Sequence, residues 1–186
     1  VTVREVALGD VVRCLGDIAV PARDDRRPYI ALEHLAQGEP RVLGHALAAD
    51  ARSAKCTFAP GDILLGKLRP NLRKAALAPF DGVCSTDILV LRAGADALPR
   101  FVLAALHTDA FWSLAESAAV GTRMPRARWE SLRRFRFALP DLSAQTRAAE
   151  ALCAFDRAVE ANEQHLTRLR EARRALGASV ARPAPR

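Results

Sequence analysis

Apolar positions change their rhythm as the chain proceeds, and each rhythm predicts different elements. Up to Arg92 they come in short runs bounded by turn residues: Val3–Leu8 before Gly9-Asp10, Tyr29–Leu35 after Pro28, and Ile63–Leu68 after Pro60-Gly61-Asp62. Ala75–Ala78 and Ser85–Arg92 follow, joined by Pro79 and an Asp81-Gly82 turn. Runs of this length between punctuating residues predict strands. One brief helix is expected over Val11–Leu15, ended by Gly16. Residues 21–28 and Gln37–Arg41 read as loop and turn. Arg69-Pro70-Asn71-Leu72-Arg73 also reads as a loop, because Pro70 cannot donate to a ladder and biases Arg69 away from helix.

Past Pro99 the spacing turns helical over Phe101–His107 and Ala110–Ala119, with Thr108 or Asp109 as the cap of the second segment. A basic loop, Gly121–Arg126, leads to a helical turn or two over Arg128–Arg133. Arg134–Leu139 then alternates strictly, Phe135, Phe137 and Leu139 on one face and the arginines on the other, until Pro140 ends the strand.

From Ser143 to Leu176 there is neither Pro nor Gly. Leu152, Val159 and Leu166 recur every seven residues, as do Phe155, Asn162, Leu169 and Leu176, which defines an a/d seam broken by Asn162 and Arg173. Ser143 is the expected N-cap and Gly177 the terminator. Such a helix is about 50 Å long. The competing reading, a helix packed on its own domain, calls for a wider apolar stripe than a/d alone. The expected organisation is a domain over 1–142, a long helix over 143–177 and a disordered tail over 178–186. The fold class is α+β: a mixed domain with a small curved sheet, followed by one coiled-coil helix.

Composition adds bounds. The 186 residues are 50% hydrophobic, 5% aromatic and 26% charged, which excludes disordered and collagen-like chains. No run approaches the roughly 18 apolar residues of a membrane span, and charges at Arg4, Glu5, Asp10 and Arg13 break any signal-peptide pattern. Cys14, Cys56, Cys84 and Cys153 contain no CxxC pair, so the expectation is four reduced thiols in a cytoplasmic protein without a metal.

The net charge of +7 is concentrated. Residues 52–74 carry Arg52, Lys55, Lys67, Arg69, Arg73 and Lys74 against Asp62. Residues 121–136 carry Arg123, Arg126, Arg128, Arg133, Arg134 and Arg136 against Glu130. Each segment is +5, which leaves 16 positive and 19 negative residues elsewhere. Local excess of this kind is the footprint of a phosphate-binding surface.

Catalytic patterns fail on inspection. Gly61–Lys67 starts like a phosphate-binding loop, but Leu68 stands where a metal-binding hydroxyl is required. Asp62, Asp87 and Lys67 suggest a small metal-dependent nuclease, although Asp62 after Gly61 reads more simply as a turn residue. His34, His45, His107 and His165 share no ligand spacing.

In order and spacing, several segments together resemble the specificity subunit of type I restriction–modification systems. These are Val6-Ala-Leu-Gly-Asp-Val11, Tyr29–Leu35, Phe58–Leu64, Lys67-Leu-Arg-Pro70, Ser85-Thr-Asp87, Pro99–Leu103, Gly121-Thr122 and Leu139-Pro-Asp-Leu-Ser-Ala-Gln145. The last resembles the entrance to that family's long helix, departing at Ala144. Members commonly hold two recognition domains and two helices, and this sequence has no internal repeat, so it corresponds to half of that plan, either as a half-subunit that dimerises or as a piece of something longer.

The resemblance implies a non-catalytic target recognition domain for double-stranded DNA in phage defence. It implies a methyltransferase subunit that carries S-adenosylmethionine and a translocating endonuclease subunit as partners, with no cofactor in this chain. The expected DNA-binding residues are Lys67, Arg69, Asn71, Arg73 and Lys74 in one loop and Arg123, Arg126 and Arg128 in the other. A homodimer through Leu152, Phe155, Val159, Asn162, Leu166, Leu169 and Leu176, reading a bipartite target, is the expected assembly. The alternatives from other classes are a coiled-coil adaptor with a non-specific basic face, and the nuclease.

Overall fold

A computed structural model describes residues 2–51 and 53–180, the last four by their backbone alone. Contacts divide the chain into two compact units, 1–146 and 147–186.

In the first unit β1 (Val3–Ala7) enters a one-turn helix, α1 (Leu8–Val11), which buries Leu8 and Val11. The chain then extends as β2 (Val12–Leu15), where a helix was expected. A five-residue apolar run has no period of its own, and pairing with a distant strand decides its conformation. β3 (Ile18–Ala19) and β4 (Pro28–Ile30) follow. The expected strand over Tyr29–Leu35 stops early, because Leu32–His34 form a 3-10 turn that His34 closes by accepting the Ala31 N–H at 3.0 Å.

β5 (Ala46–Leu47) and β6 (Lys55–Phe58) carry no clear sequence signal. β7 (Ile63–Gly66) and β8 (Ala75–Leu77) fall where expected, separated by a 3-10 turn over Pro70–Leu72. The Ser85–Arg92 run begins later than expected: β9 (Gly82–Cys84) precedes it and β10 spans Ile88–Ala93. The remaining elements are α2 (Pro99–Leu106), α3 (Asp109–Ser117), β11 (Ala119–Val120), β12 (Arg126–Ala127), α4 (Trp129–Leu132), β13 (Arg136–Pro140) and α5 (Leu142–Val180).

The domain is mixed α+β as expected, its strands divided between two sheets of four and five strands and two ribbons. An antiparallel sheet runs β2-β10-β7-β8 and a second runs β3-β6-β9-β4-β5, in which only β4 and β9 are parallel. The ribbons are β1-β13 and β11-β12. Strands of two to four residues are too short to declare a face by alternation, so of the second sheet only β4 was expected.

The four-stranded sheet is apolar on both sides. Ile63, Leu65 and Leu91 join a cluster with Val102, Leu103, Leu106, Phe111 and Trp112, while Leu64, Ile88 and Val90 join Ile30, Phe58 and Cys84. That explains why Ile63-Leu64-Leu65 is a continuous apolar run, since successive residues serve opposite cores. Gly82 is required where β9 is squeezed: a Cβ there would lie 2.6 Å from the Pro28 carbonyl oxygen and 2.7 Å from Phe58 Cζ.

The helix α5 has 39 residues, about 58 Å at the usual rise. Its cap is Asp141, not Ser143: the Asp141 carboxylate accepts the Ala144 N–H at 2.9 Å and the Ser143 hydroxyl at 2.7 Å. These two donors hold the Asp141 carboxyl below its ordinary range. The helix passes through Gly177 to Val180, so Ala178–Val180 are helical where a tail was expected. The rest of that expected tail, 181–186, lies outside the described residues. In the second unit Leu152, Phe155, Val159, Asn162, Leu166, Leu169 and Leu176 are all exposed.

Candidate nucleic-acid interface

The two basic segments, far apart in sequence, are joined through their main chains. Arg69 N–H donates to the Pro125 carbonyl at 2.8 Å, Ala127 N–H donates to the Lys67 carbonyl at 2.9 Å, and Leu68 and Arg126 form an antiparallel bridge. The end of β7 thus continues into a short ladder with β12. Lys67 N–H is fixed in turn by the Asp87 carbonyl at 2.9 Å. Gly121 turns the β11-β12 ribbon with φ of 111°, a region that L-residues avoid.

Around this ladder the expected residues divide by how they are held. Arg69, Asn71, Arg123 and Arg128 are exposed, and Lys67 is half-buried; no side-chain hydrogen bond or ion pair engages any of them among the described residues. Arg69 and Arg73 flank the 3-10 turn with φ of 52° and 50°, both left-handed. Arg73 Nη1 reaches Asp109 at 2.5 Å, at the start of α3, whose N-cap Thr108 accepts the Phe111 N–H. Lys74 turns its ammonium onto the Leu32 carbonyl at 2.7 Å.

Arg126 is gripped most firmly. Its Nε and Nη2 meet the two Asp87 carboxylate oxygens at 2.8 and 3.3 Å, and Nη1 reaches the Met124 carbonyl at 3.3 Å. The Asp87 carboxylate raises the guanidinium pKa further above its ordinary value. Asp87 has no local signal as a partner, since it stands 39 positions from Arg126. Beside these residues lies a recess of about 460 Å³, lined by Lys67, Leu89, Val120, Arg126, Ala127, Arg128, Trp129 and Glu130.

Several other basic residues serve the fold. Lys55 is buried, its ammonium 2.6 Å from the Ser53 hydroxyl and 5.5 Å from the Tyr29 ring centre. Arg136 pairs with Glu5 across β1-β13. Arg52 lies outside the described residues.

The acids of the supposed nuclease do not converge. Asp62 is buried, with Arg92 Nε and Nη2 on its carboxylate at 2.7 and 2.8 Å and the Ala59 N–H at 2.8 Å. Asp62 and Asp87 flank opposite ends of the β7–β10 register, which runs from Ile63↔Leu91 to Gly66↔Ile88. That separates them by roughly 17 Å of strand. Among the described residues no three His, Cys, Asp or Glu side chains group to hold a metal ion. All four cysteines are free thiols; burial pushes those of Cys84 and Cys14 up. No helix among the described residues is long and apolar enough to cross a membrane.

An α+β domain with a basic, main-chain-laddered surface, continuing into one long helix, has a counterpart among known proteins. The chain belongs to the family described as type I restriction modification DNA specificity domain, which residues 11–171 match. It is 28% identical over 137 residues to the type I restriction enzyme EcoDI specificity subunit of Escherichia coli, covering 71% of this chain and 30% of that one. The HsdS subunit from Thermoanaerobacter tengcongensis superposes over 98% of this chain with a TM-score of 0.70 at 23% identity. A chain from a structure of the type I R-M system superposes over 98% with a TM-score of 0.71 at 22% identity. The type I system S subunit from M. genitalium does so over 94% with a TM-score of 0.58 at 17% identity. The chain spans about half the length of the first two of these solved relatives and 43% of the third.

Proposed function

We propose that this chain is the sequence-specific, double-stranded DNA recognition component of a type I restriction–modification complex, without catalytic activity of its own. The observation that carries the reading is the ladder joining 67–69 to 125–127. It brings together the segments that carry Lys67, Arg69, Arg123 and Arg128, none of them engaged by another side chain among the described residues, in a domain of this family. Unneutralised cations on a fixed backbone are what phosphate contacts require, and they position a reader without carrying sequence information. Asn71 has the donor and acceptor pair that suits adenine.

In this reading the partners are a methyltransferase subunit, which carries S-adenosylmethionine, and an endonuclease–translocase subunit, in a cytoplasmic system that acts against phage. The exposed seam Leu152, Phe155, Val159, Leu166, Leu169 and Leu176 supports a homodimeric coiled coil with Asn162 setting its register. A two-fold dimer reads two inverted half-sites.

Selection from a random duplex pool, with the matching methyltransferase present, tests the reading. Enrichment of an interrupted inverted repeat is expected. A pool that stays random overturns sequence recognition, and an asymmetric selected site overturns the homodimer. Leu166→Asp with Leu169→Asp is expected to give a folded monomer by light scattering that loses tight two-site binding.

A further inference from the structure

Phosphate and base contacts ask different things of an arginine. A phosphate needs net charge and tolerates a mobile side chain. A base edge needs a fork of two N–H groups held in one plane and one direction.

Arg126 is the cation at this surface that meets the second demand. Its carboxylate partner is side-on: Nε and Nη2 bind Asp87, and Nη1 binds the Met124 carbonyl. A guanidinium has five N–H groups, so three are engaged. Two remain, one on Nη1 and one on Nη2, and the end-on fork of a guanidinium is built from one N–H of each of these nitrogens. The side chain is 41% exposed.

Asp87 is itself fixed at three points. Two of these points are on the main chain, where its N–H lies 3.2 Å from the Ser85 hydroxyl oxygen and its carbonyl accepts the Lys67 N–H; the third is the Arg126 pair itself, on a side chain 24% exposed. Arg126 stands in β12, bridged to Leu68, so both ends of the pair rest on paired backbone. By contrast, Arg73 is held through one nitrogen by an Asp109 that is 86% exposed, and among the described residues no side-chain hydrogen bond or ion pair holds the guanidinium of Arg69 or Arg123.

The charge balance points the same way. Asp87 neutralises Arg126, which removes most of its attraction for a phosphate but leaves its N–H pair able to donate to neutral acceptors. We infer that Arg126 reads one guanine through N7 and O6 with this outward pair, and that Asp87 is the positioning residue that fixes its direction. The inference rests on the DNA-recognition reading above and assigns one base of the target to one side chain.

The test uses the full chain with its methyltransferase and compares wild type, Arg126→Lys and Asp87→Asn. Each is carried through random-duplex selection. Binding is then measured on the selected duplex with each guanine replaced in turn by 7-deazaguanine, which lacks N7. Lysine keeps the charge but not the fork.

In the wild type, one 7-deazaguanine is expected to weaken binding by about 5- to 150-fold. In Arg126→Lys the same replacement is expected to cost nothing, with preference lost at that position alone and the salt dependence unchanged. Asp87→Asn is expected to blunt the same single preference and to steepen the salt slope by about one, because its arginine is no longer neutralised.

A lysine variant that keeps every base preference overturns the inference. So does one that weakens all duplexes alike, or that fails to unfold cooperatively, since each makes the pair a tie between two loops. A wild type that enriches no sequence overturns the recognition reading, and this assignment with it.

Discussion

Among the described residues, Arg69 and Arg73 are the two non-glycine residues found in the left-handed region, and they bracket the basic 3-10 turn. Holding an L-residue there costs about 1–2 kcal/mol, a cost that surrounding structure must over-determine. Arg69→Gly is therefore expected to stabilise the domain by about 0.5–1 kcal/mol in urea titration, the larger unfolded-state entropy of glycine offsetting part of the relief. The same variant is expected to bind duplex DNA more weakly, with a salt slope lower by about one. Loss of stability would mean that the arginine side chain supports the turn. Nothing in Arg69-Pro70-Asn71 discloses positive φ, and the anchor of the Arg69 N–H is the Pro125 carbonyl of a remote segment. Asp87 was hidden for a similar reason: its role depends on an arginine far along the chain, and alone it looks like any acid after a short polar run.

Among the elements, those with an internal period or a local cap were legible. Thr108 caps α3, Phe135 just ahead of β13 and Leu139 within it are both buried, and the heptad run became α5. β2 and β6 were not, since pairing partners decide short strands. Gln145 was legible only as part of a motif, and the structure supplies its reason. It is fully buried, accepts the Leu98 N–H at 2.8 Å before α2, and donates to the Asp96 and Pro140 carbonyls at 3.0 and 2.8 Å. Gln145→Leu strands all three groups and is expected to cost about 2–4 kcal/mol, read as a lowered denaturation midpoint. An unchanged midpoint would show that water replaces the amide. Asp141 gives α5 a pH dependence of definite sign. Its folded pKa is depressed, so its contribution is complete above the ordinary carboxylate value near about 4 and is lost as pH falls through the depressed one. Asp141→Ala is expected to melt below wild type at neutral pH, the two thermal curves converging as the pH falls below the ordinary carboxylate range.

At the scale of the whole molecule, the division after Thr146 leaves the α5 cap and Gln145 in the first unit and the exposed seam in the second. A chain cut after Glu150 is expected to keep cooperative unfolding and duplex binding, and to run as a monomer at every concentration in light scattering. Failure to fold would make residues beyond 150 part of the domain's stability. The long helix was legible because a heptad repeat is written in consecutive residues. The second sheet was not, because its strands of two to four residues meet only after the chain has returned several times.

The ladder between 67–69 and 125–127 is carried by backbone groups, so its strength is indifferent to the side chains mounted on it. At 69 and 127 only proline, which lacks the donating N–H, is barred by that ladder. A lineage can therefore exchange the letters it reads, one exposed residue at a time, while the frame that holds them stays put. Variation should accumulate at Arg69, Asn71, Arg123 and Arg128 without a matching drift in Leu64, Leu65 or Leu91 beneath them.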